Sequence, residues 1–335
     1  MGQGWSVAGG PAGESPTKGF EAGSQTQPSE APTARIEIHH FVTTTVTDQQ
    51  FLTGAKDGMP ARIGGELKLP SGTERMPAVI LMHGSAGLGA NVDRWAKELN
   101  DIGVAAFLID SFTGRGIVQT VTDQSQLANL AMIMDAYRAL ELLSTHARID
   151  ASRIALMGFS RGGFVALYAS LKRFQRMHGP DGIEFVAYIP FYAQCNTAYI
   201  GDEQVSDRSI RLFHGTADNY VSIEPCRKYV ERLSRAGKDI QLTEYTGAQH
   251  AFDNPLYSPA RFLPDAVTTS HCPREERAGG KIVNLETDRA FSWNDACVRR
   301  GATIGYDPVA TTEATKAVKS FLIATFKLNS SNPRR

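Results

Sequence analysis

One serine in this chain stands where a nucleophile would need to be. The apolar run Ile154-Ala155-Leu156-Met157 breaks into Gly158-Phe159-Ser160-Arg161-Gly162-Gly163, and an Ala- and Leu-rich stretch suited to a helix follows. A sharp turn from strand to helix strains its central residue, and glycines flank it because side chains there would strike neighbouring backbone. A hydroxyl is a poor nucleophile until a base takes its proton, so a histidine and an orienting carboxylate should follow. Asp218 in LFHGTADNYVS and His250 in YTGAQHAFD each lie just past a short apolar run. The chemistry implied is acyl transfer, with Ser160 as nucleophile, His250 as base and Asp218 as the acid behind it.

An attacked carbonyl also needs donors for its oxyanion. The N–H of Arg161, at the start of the expected helix, is one. The turn LMHGSAG after residues 79–82 offers the other through Ser85, with Ala86 as the alternative. Blander readings stand beside these. Ser160 could be a helix N-cap, and Asp218 a turn residue, with Asp202, Asp207 and Asp253 as rivals for its role. Arg115 in SFTGRG could hold a substrate carboxylate or form a structural ion pair. Phe159 and Tyr220 are candidate pocket walls or plain core. Cys195 in YAQCNTA has no flanking glycines that would make it a nucleophile.

These residues require a scaffold that brings strand ends together. Short apolar runs of buried parallel-strand type occur at residues 77–84, 103–110, 153–160, 185–192, 210–215 and 239–247. Helical stretches separate them near residues 92–102, 124–147, 161–173 and 223–236, with a last one near 312–326. Partly alternating segments at 34–46 and 61–72 suit antiparallel strands at a sheet edge. The rhythm predicts an α/β fold with a mostly parallel, doubly wound sheet and helices on both faces. Such sheets bind ligands at the carboxyl ends of their strands. The domain is expected over 35–328, between a Gly-, Ser- and Pro-rich tail at 1–34 and a short tail at 329–335. Residues 254–306 lack clear periodicity and read as an insertion or lid-like segment.

Together LMHGSAGLG, LIDSFTGRG, MGFSRGG, LFHGTADNYVS and TGAQHAFD resemble the dienelactone hydrolase family of α/β-hydrolases. The resemblance spans about residues 63–253 and the final helix. It implies Ser160, Asp218 and His250 as the catalytic residues, acting on esters or lactones without a cofactor or metal. The namesake enzymes carry cysteine at the Ser160 position, so this chain is similar to the serine branch of the family. The expected function is a serine hydrolase of carboxylic esters or lactones working through an acyl-enzyme. The alternatives are a serine peptidase or amidase and a non-catalytic binding protein of the same fold.

Composition narrows the partners. The 335 residues hold 35 Lys plus Arg against 35 Asp plus Glu, which offers no electrostatic footprint for nucleic acid or an anionic membrane. No apolar run is long enough to span a membrane. A small-molecule substrate is the remaining partner. The N-terminus has no signal-peptide pattern, and MGQGWS fits only the bare acylation pattern at Gly2, without a second anchoring signal. Four cysteines, without any C-x-x-C pair, could be two disulfides, most simply Cys195–Cys226 and Cys272–Cys297, or four thiols. Thiols would suit a cytoplasmic chain, and disulfides a periplasmic or secreted one.

Overall fold

Runs of Val, Ile, Leu and Ala buried on both sides build the centre of the molecule, as a parallel sheet requires. The structure is a computed structural model. It describes Met1 and residues 34–328, so residues 2–33 of the tail expected at 1–34, the whole tail expected at 329–335 and the acylation pattern at Gly2 lie outside the described residues. Residues 34–328 belong to one compact unit.

In chain order the strands are β1 (Arg35–Thr45), β2 (Met59–Leu69), β3 (Met76–Met82), β4 (Ala105–Asp110), β5 (Ile149–Phe159), β6 (Ala187–Phe191) and β7 (Thr197–Ala198). They continue with β8 (Ser209–Gly215), β9 (Ile240–Tyr245), β10 (Arg261–Thr268), β11 (Arg274–Arg277), β12 (Lys281–Asn284), β13 (Arg289–Ala290) and β14 (Arg299–Ile304). The helices are α1 (Asp48–Thr53), α2 (Ala90–Asn100), α3 (Asn129–Ser144), α4 (Arg161–Tyr168), α5 (Lys172–His178), α6 (Glu224–Arg235) and α7 (Pro308–Phe326). The main sheet has eight strands in the order β1-β2-β4-β3-β5-β6-β8-β9. From β4 to β9 neighbours run parallel, and β1 and β2 add an antiparallel edge.

Alternation along each strand divides the core between the faces. Ile80 and Ile154 pack with α3, α4 and α6, while Val79, Leu81 and Met157 pack with α2 and α7. No described helix is long and apolar enough to cross a membrane.

Three local features depart from the expectations. The helix expected over 161–173 is broken, because backbone at 170–172 turns aside to bond Gln204 and Ser206. The last helix starts earlier, at Pro308, where the Asp307 carboxylate caps the Val309 and Ala310 N–H groups. Residues 254–306, which lack periodicity in sequence, carry strands too short to show it. There β10 pairs with β14, and β13-β12-β11 form a small sheet completed by β7.

Candidate active site

Ser160 lies at the carboxyl end of β5, immediately before α4, with φ 55° and ψ −112°. Such a backbone costs about 1–3 kcal/mol. Burial of Phe159, Phe164 and Val165 around it contributes roughly 1.5–3 kcal/mol each, enough to hold the strain. The glycines are there for close approach. A Cβ on Gly158 would lie 2.0 Å from the Gly162 carbonyl oxygen, and one on Gly162 would lie 2.1 Å from that of Met82. Two more residues beside the serine, Tyr192 (φ 35°) and Ala251 (φ 58°), also hold positive φ.

His250 and Asp218, the expected base and acid, arrive on the neighbouring loops after β9 and β8. Backbone bonds from Thr216 to Tyr245 and from Ala217 to Ala248 tie the two loops together. His250 Nε2 is 2.9 Å from Ser160 Oγ, and its Nδ1 is 2.7 Å from Asp218 Oδ2. With the Nδ1 proton donated to Asp218, Nε2 is free to accept from the serine hydroxyl. Asp218 Oδ1 accepts the N–H groups of Tyr220 and Val221 at 2.9 and 2.8 Å. Burial alone would raise this carboxyl, but the His250 charge and the hydrogen bonds from His214 and His250 outweigh it. The carboxyl titrates well below the usual carboxylate range. The rival carboxylates are engaged elsewhere: Asp202 with Arg232, Asp207 with Lys172 and Lys238, and Asp253 with Trp95 and Tyr192.

The turn after β3 packs against the serine, since a Cβ on Gly84 would lie 3.3 Å from that of Ser160. His83 anchors this turn. Its Nδ1 bonds the Gly84 carbonyl at 2.8 Å, and its Nε2 accepts the Ser111 N–H at 3.1 Å. Burial lowers its pKa, in keeping with that neutral tautomer. Ser85 and Ala86 both line the space beside Ser160. Among the described residues neither the Ser85 nor the Arg161 backbone N–H has a hydrogen-bond acceptor.

The guanidinium of Arg161, to which the sequence assigns no role, is buried. It donates to the carbonyls of Leu127 and Gln124 and to Gln124 Oε1. Burial lowers its pKa to about 10, so it is a cation at neutral pH. Gln124 emerges as a hub that composition and spacing do not reveal. It also accepts from Ser85 Oγ and donates to Tyr220 Oη and the Val267 carbonyl. Arg115, in contrast, lines no cavity at Ser160. It forms a buried bidentate pair with Asp135 and donates to Thr45 Oγ1 and the Ser111 carbonyl. That corrects its reading as a substrate contact: a side chain buried under α3 cannot meet a ligand at the strand ends. Phe159 and Tyr220 do border the serine, and the Tyr220 ring centroid lies 4.8 Å from that of His250.

Two cavities meet at the serine. One of about 90 Å³ has His250 in its wall, and one of about 610 Å³ runs past Arg161 to Arg274, Phe291 and Trp293. The described cysteines are joined as Cys195–Cys226 and Cys272–Cys297. The one described group with metal-ligand spacing, Glu37, His39 and His146, lies outside both cavities. Its rings already bond the Glu37 carboxylate, and His146 Nδ1 accepts the Arg148 N–H. That tautomer leaves the proton on the nitrogen a metal would need.

The family model described as "Dienelactone hydrolase family" matches residues 63–326. The chain is 26% identical over 220 residues to a Bradyrhizobium protein named "Probable 2-oxo-3-(5-oxofuran-2-ylidene)propanoate lactonase", covering 60% of this chain and 85% of the relative. In fold it is similar to a dienelactone hydrolase-like promiscuous phosphotriesterase from metagenomic libraries, at a TM-score of 0.54 and 19% identity over 86% of this chain and 99% of that one. It is also similar to Thermogutta terrifontis esterase 2 phosphorylated by paraoxon, at a TM-score of 0.54 and 17% identity over 90% of this chain and 98% of that one.

Proposed function

The chain belongs to the dienelactone hydrolase family, as a carboxylic ester hydrolase of the α/β-hydrolase fold, and from that premise we propose that it works through a serine acyl-enzyme. The observation that carries the proposal is the continuous line from Ser160 Oγ through His250 to Asp218, at 2.9 and 2.7 Å. His250 Nε2 takes the hydroxyl proton as Oγ attacks the ester or lactone carbonyl. The imidazolium that forms is stabilised by Asp218, which stays ionised. The tetrahedral oxyanion rests on the N–H groups of Arg161 and Ser85, which have no competing acceptor among the described residues. Collapse passes the proton from Nε2 to the departing alkoxide and leaves the acyl group on Ser160. Water, deprotonated by the same histidine, then releases the acid. The buried Arg161 guanidinium acts on the site indirectly, by holding Gln124 against the oxyanion turn.

An organophosphate tests the nucleophile, since it phosphorylates an activated serine without needing the right substrate. Fluorophosphonate labelling should appear in the wild type and vanish in Ser160→Ala. Equal labelling of the two proteins would remove the assignment. Ester turnover should exceed amide turnover on matched acyl groups, and preferential amide cleavage would make the chain a peptidase or amidase instead.

A further inference from the structure

We propose that residues 254–306 sort substrates by the size of the departing alcohol, favouring esters of short alcohols with large, polar acyl groups. The inference rests on the serine-esterase reading above. Ser85, Ser160 and Tyr220 border both cavities, so a bound ester must place one arm in each. His250 and Ala251 border only the smaller one. His250 Nε2 must hand its proton to the leaving oxygen, and that oxygen has to lie on the histidine's side of the tetrahedral carbon. The alcohol arm therefore enters the smaller cavity.

The insertion supplies part of that cavity's wall, through Asn254, Tyr257, Leu263 and Ile304. Tyr257, Leu263 and Ile304 pack with Val121 and Tyr220 in a small apolar cluster separate from the main core. The lining contains no Asp, Glu, Lys or Arg among the described residues. The backbone fixes the wall in place, because Gly305 N–H donates to the His250 carbonyl and β14 bridges His250 at Ile304. At about 30 Å³ per small group, the roughly 90 Å³ admits an alcohol of up to about three carbons. The larger cavity is chemically different. Asp48, Gln194 and Arg274 stand among Tyr199, Phe291 and Trp293, an assortment that suits an extended acyl group carrying polar substituents. The buried Nε of Arg274 has no hydrogen-bond partner among the described residues.

Two ester series test the assignment. One keeps the acyl group and lengthens the alcohol from methyl to hexyl; the other keeps methanol and lengthens the acyl chain. Wild-type kcat/KM should fall by about tenfold or more once the alcohol passes propyl, and should change much less along the acyl series. In Leu263→Ala the hexyl-to-methyl ratio of kcat/KM should rise by about tenfold, because the half-buried side chain is removed from the wall. Leu263→Trp should lower the propyl-to-methyl ratio. If acyl length is cut off while alcohol length is tolerated, the arms are reversed and the proposal fails. An unchanged ratio in both variants removes the role of the insertion. If no ester in either series is turned over, or Ser160→Ala hydrolyses them as fast as the wild type, the esterase reading itself has failed.

Discussion

The two sides of Ser160, the proposed nucleophile, are built differently. On the sheet side, backbone meets backbone: Gly158, Gly162 and Gly163 sit where any Cβ would fall within about 2.3 Å of a carbonyl oxygen. On the other side, residues 254–306 form two small sheets, with exposed side chains such as Phe262 and Trp293 and a disulfide between Cys272 and Cys297. The first side has no slack for substitution and holds the reacting groups. The second has slack, and it supplies walls for both cavities. On the proposed reading, chemistry is carried by the tightly packed region and selectivity by the looser one.

Substitutions that strike each side in turn can break this contrast. The largest effect is expected from Asp218→Asn, which reverses the hydrogen-bond logic at His250 and should lower kcat on the order of 10⁴-fold. The same variant has a pH signature. The folded carboxyl titrates below its unfolded value, so its contribution to stability is complete above about pH 4 and is lost as pH falls through the folded value. The stability gap between wild type and Asp218→Asn should stay constant from neutral pH to about 5 and narrow only below about 4. Denaturant titrations across that range would measure it, and a gap that closes already near pH 6 would contradict the depressed carboxyl.

Next in size is Gly162→Ala. Its Cβ would meet the Met82 oxygen at 2.1 Å, and a loss of about 3 kcal/mol or more is expected by chemical denaturation. Removing the 272–297 disulfide with paired alanines should cost up to about 3.5 kcal/mol, for a loop of 25 residues. Here the location matters more than the size. Hydrogen exchange should quicken in β11 to β14 and remain slow in β3 and β5, and uniform quickening would mean that the two sides are not separable. The smallest effect is expected at Gly279, which has φ 76° and open space, with nothing within 4 Å of where a Cβ would stand. Gly279→Ala should cost only about 1 kcal/mol, from left-handed backbone alone. A loss there as large as that of Gly162→Ala would erase the contrast.

Legibility in the sequence follows the same division. The parallel strands and the elbow are readable because burial on both faces and a strand-turn-helix change leave local signatures. The break at 169–171 is not, since its cause is backbone pairing with residues 204–206. Arg115 shows the limit most clearly. Its position after a strand end suits a substrate contact, and only the fold shows Asp135 of α3 taking both ends of the guanidinium. Gln124 leaves no trace at all, because an exposed-looking glutamine becomes a hub only when four distant segments converge on it.

Residue order alone was thus enough to specify the α/β-hydrolase architecture, the serine elbow, and the sequence Ser160, Asp218, His250, because each of these depends on a short stretch and on its place after a strand. The fold decided the rest: that His250 reaches Ser160 at 2.9 Å, that Arg161 is a brace and Arg115 an ion pair, and that residues 254–306 wall the cavities. Those outcomes depend on which distant segments come within hydrogen-bond or van der Waals range. No local pattern carries that distance information, because it is the sum of all the packing in between.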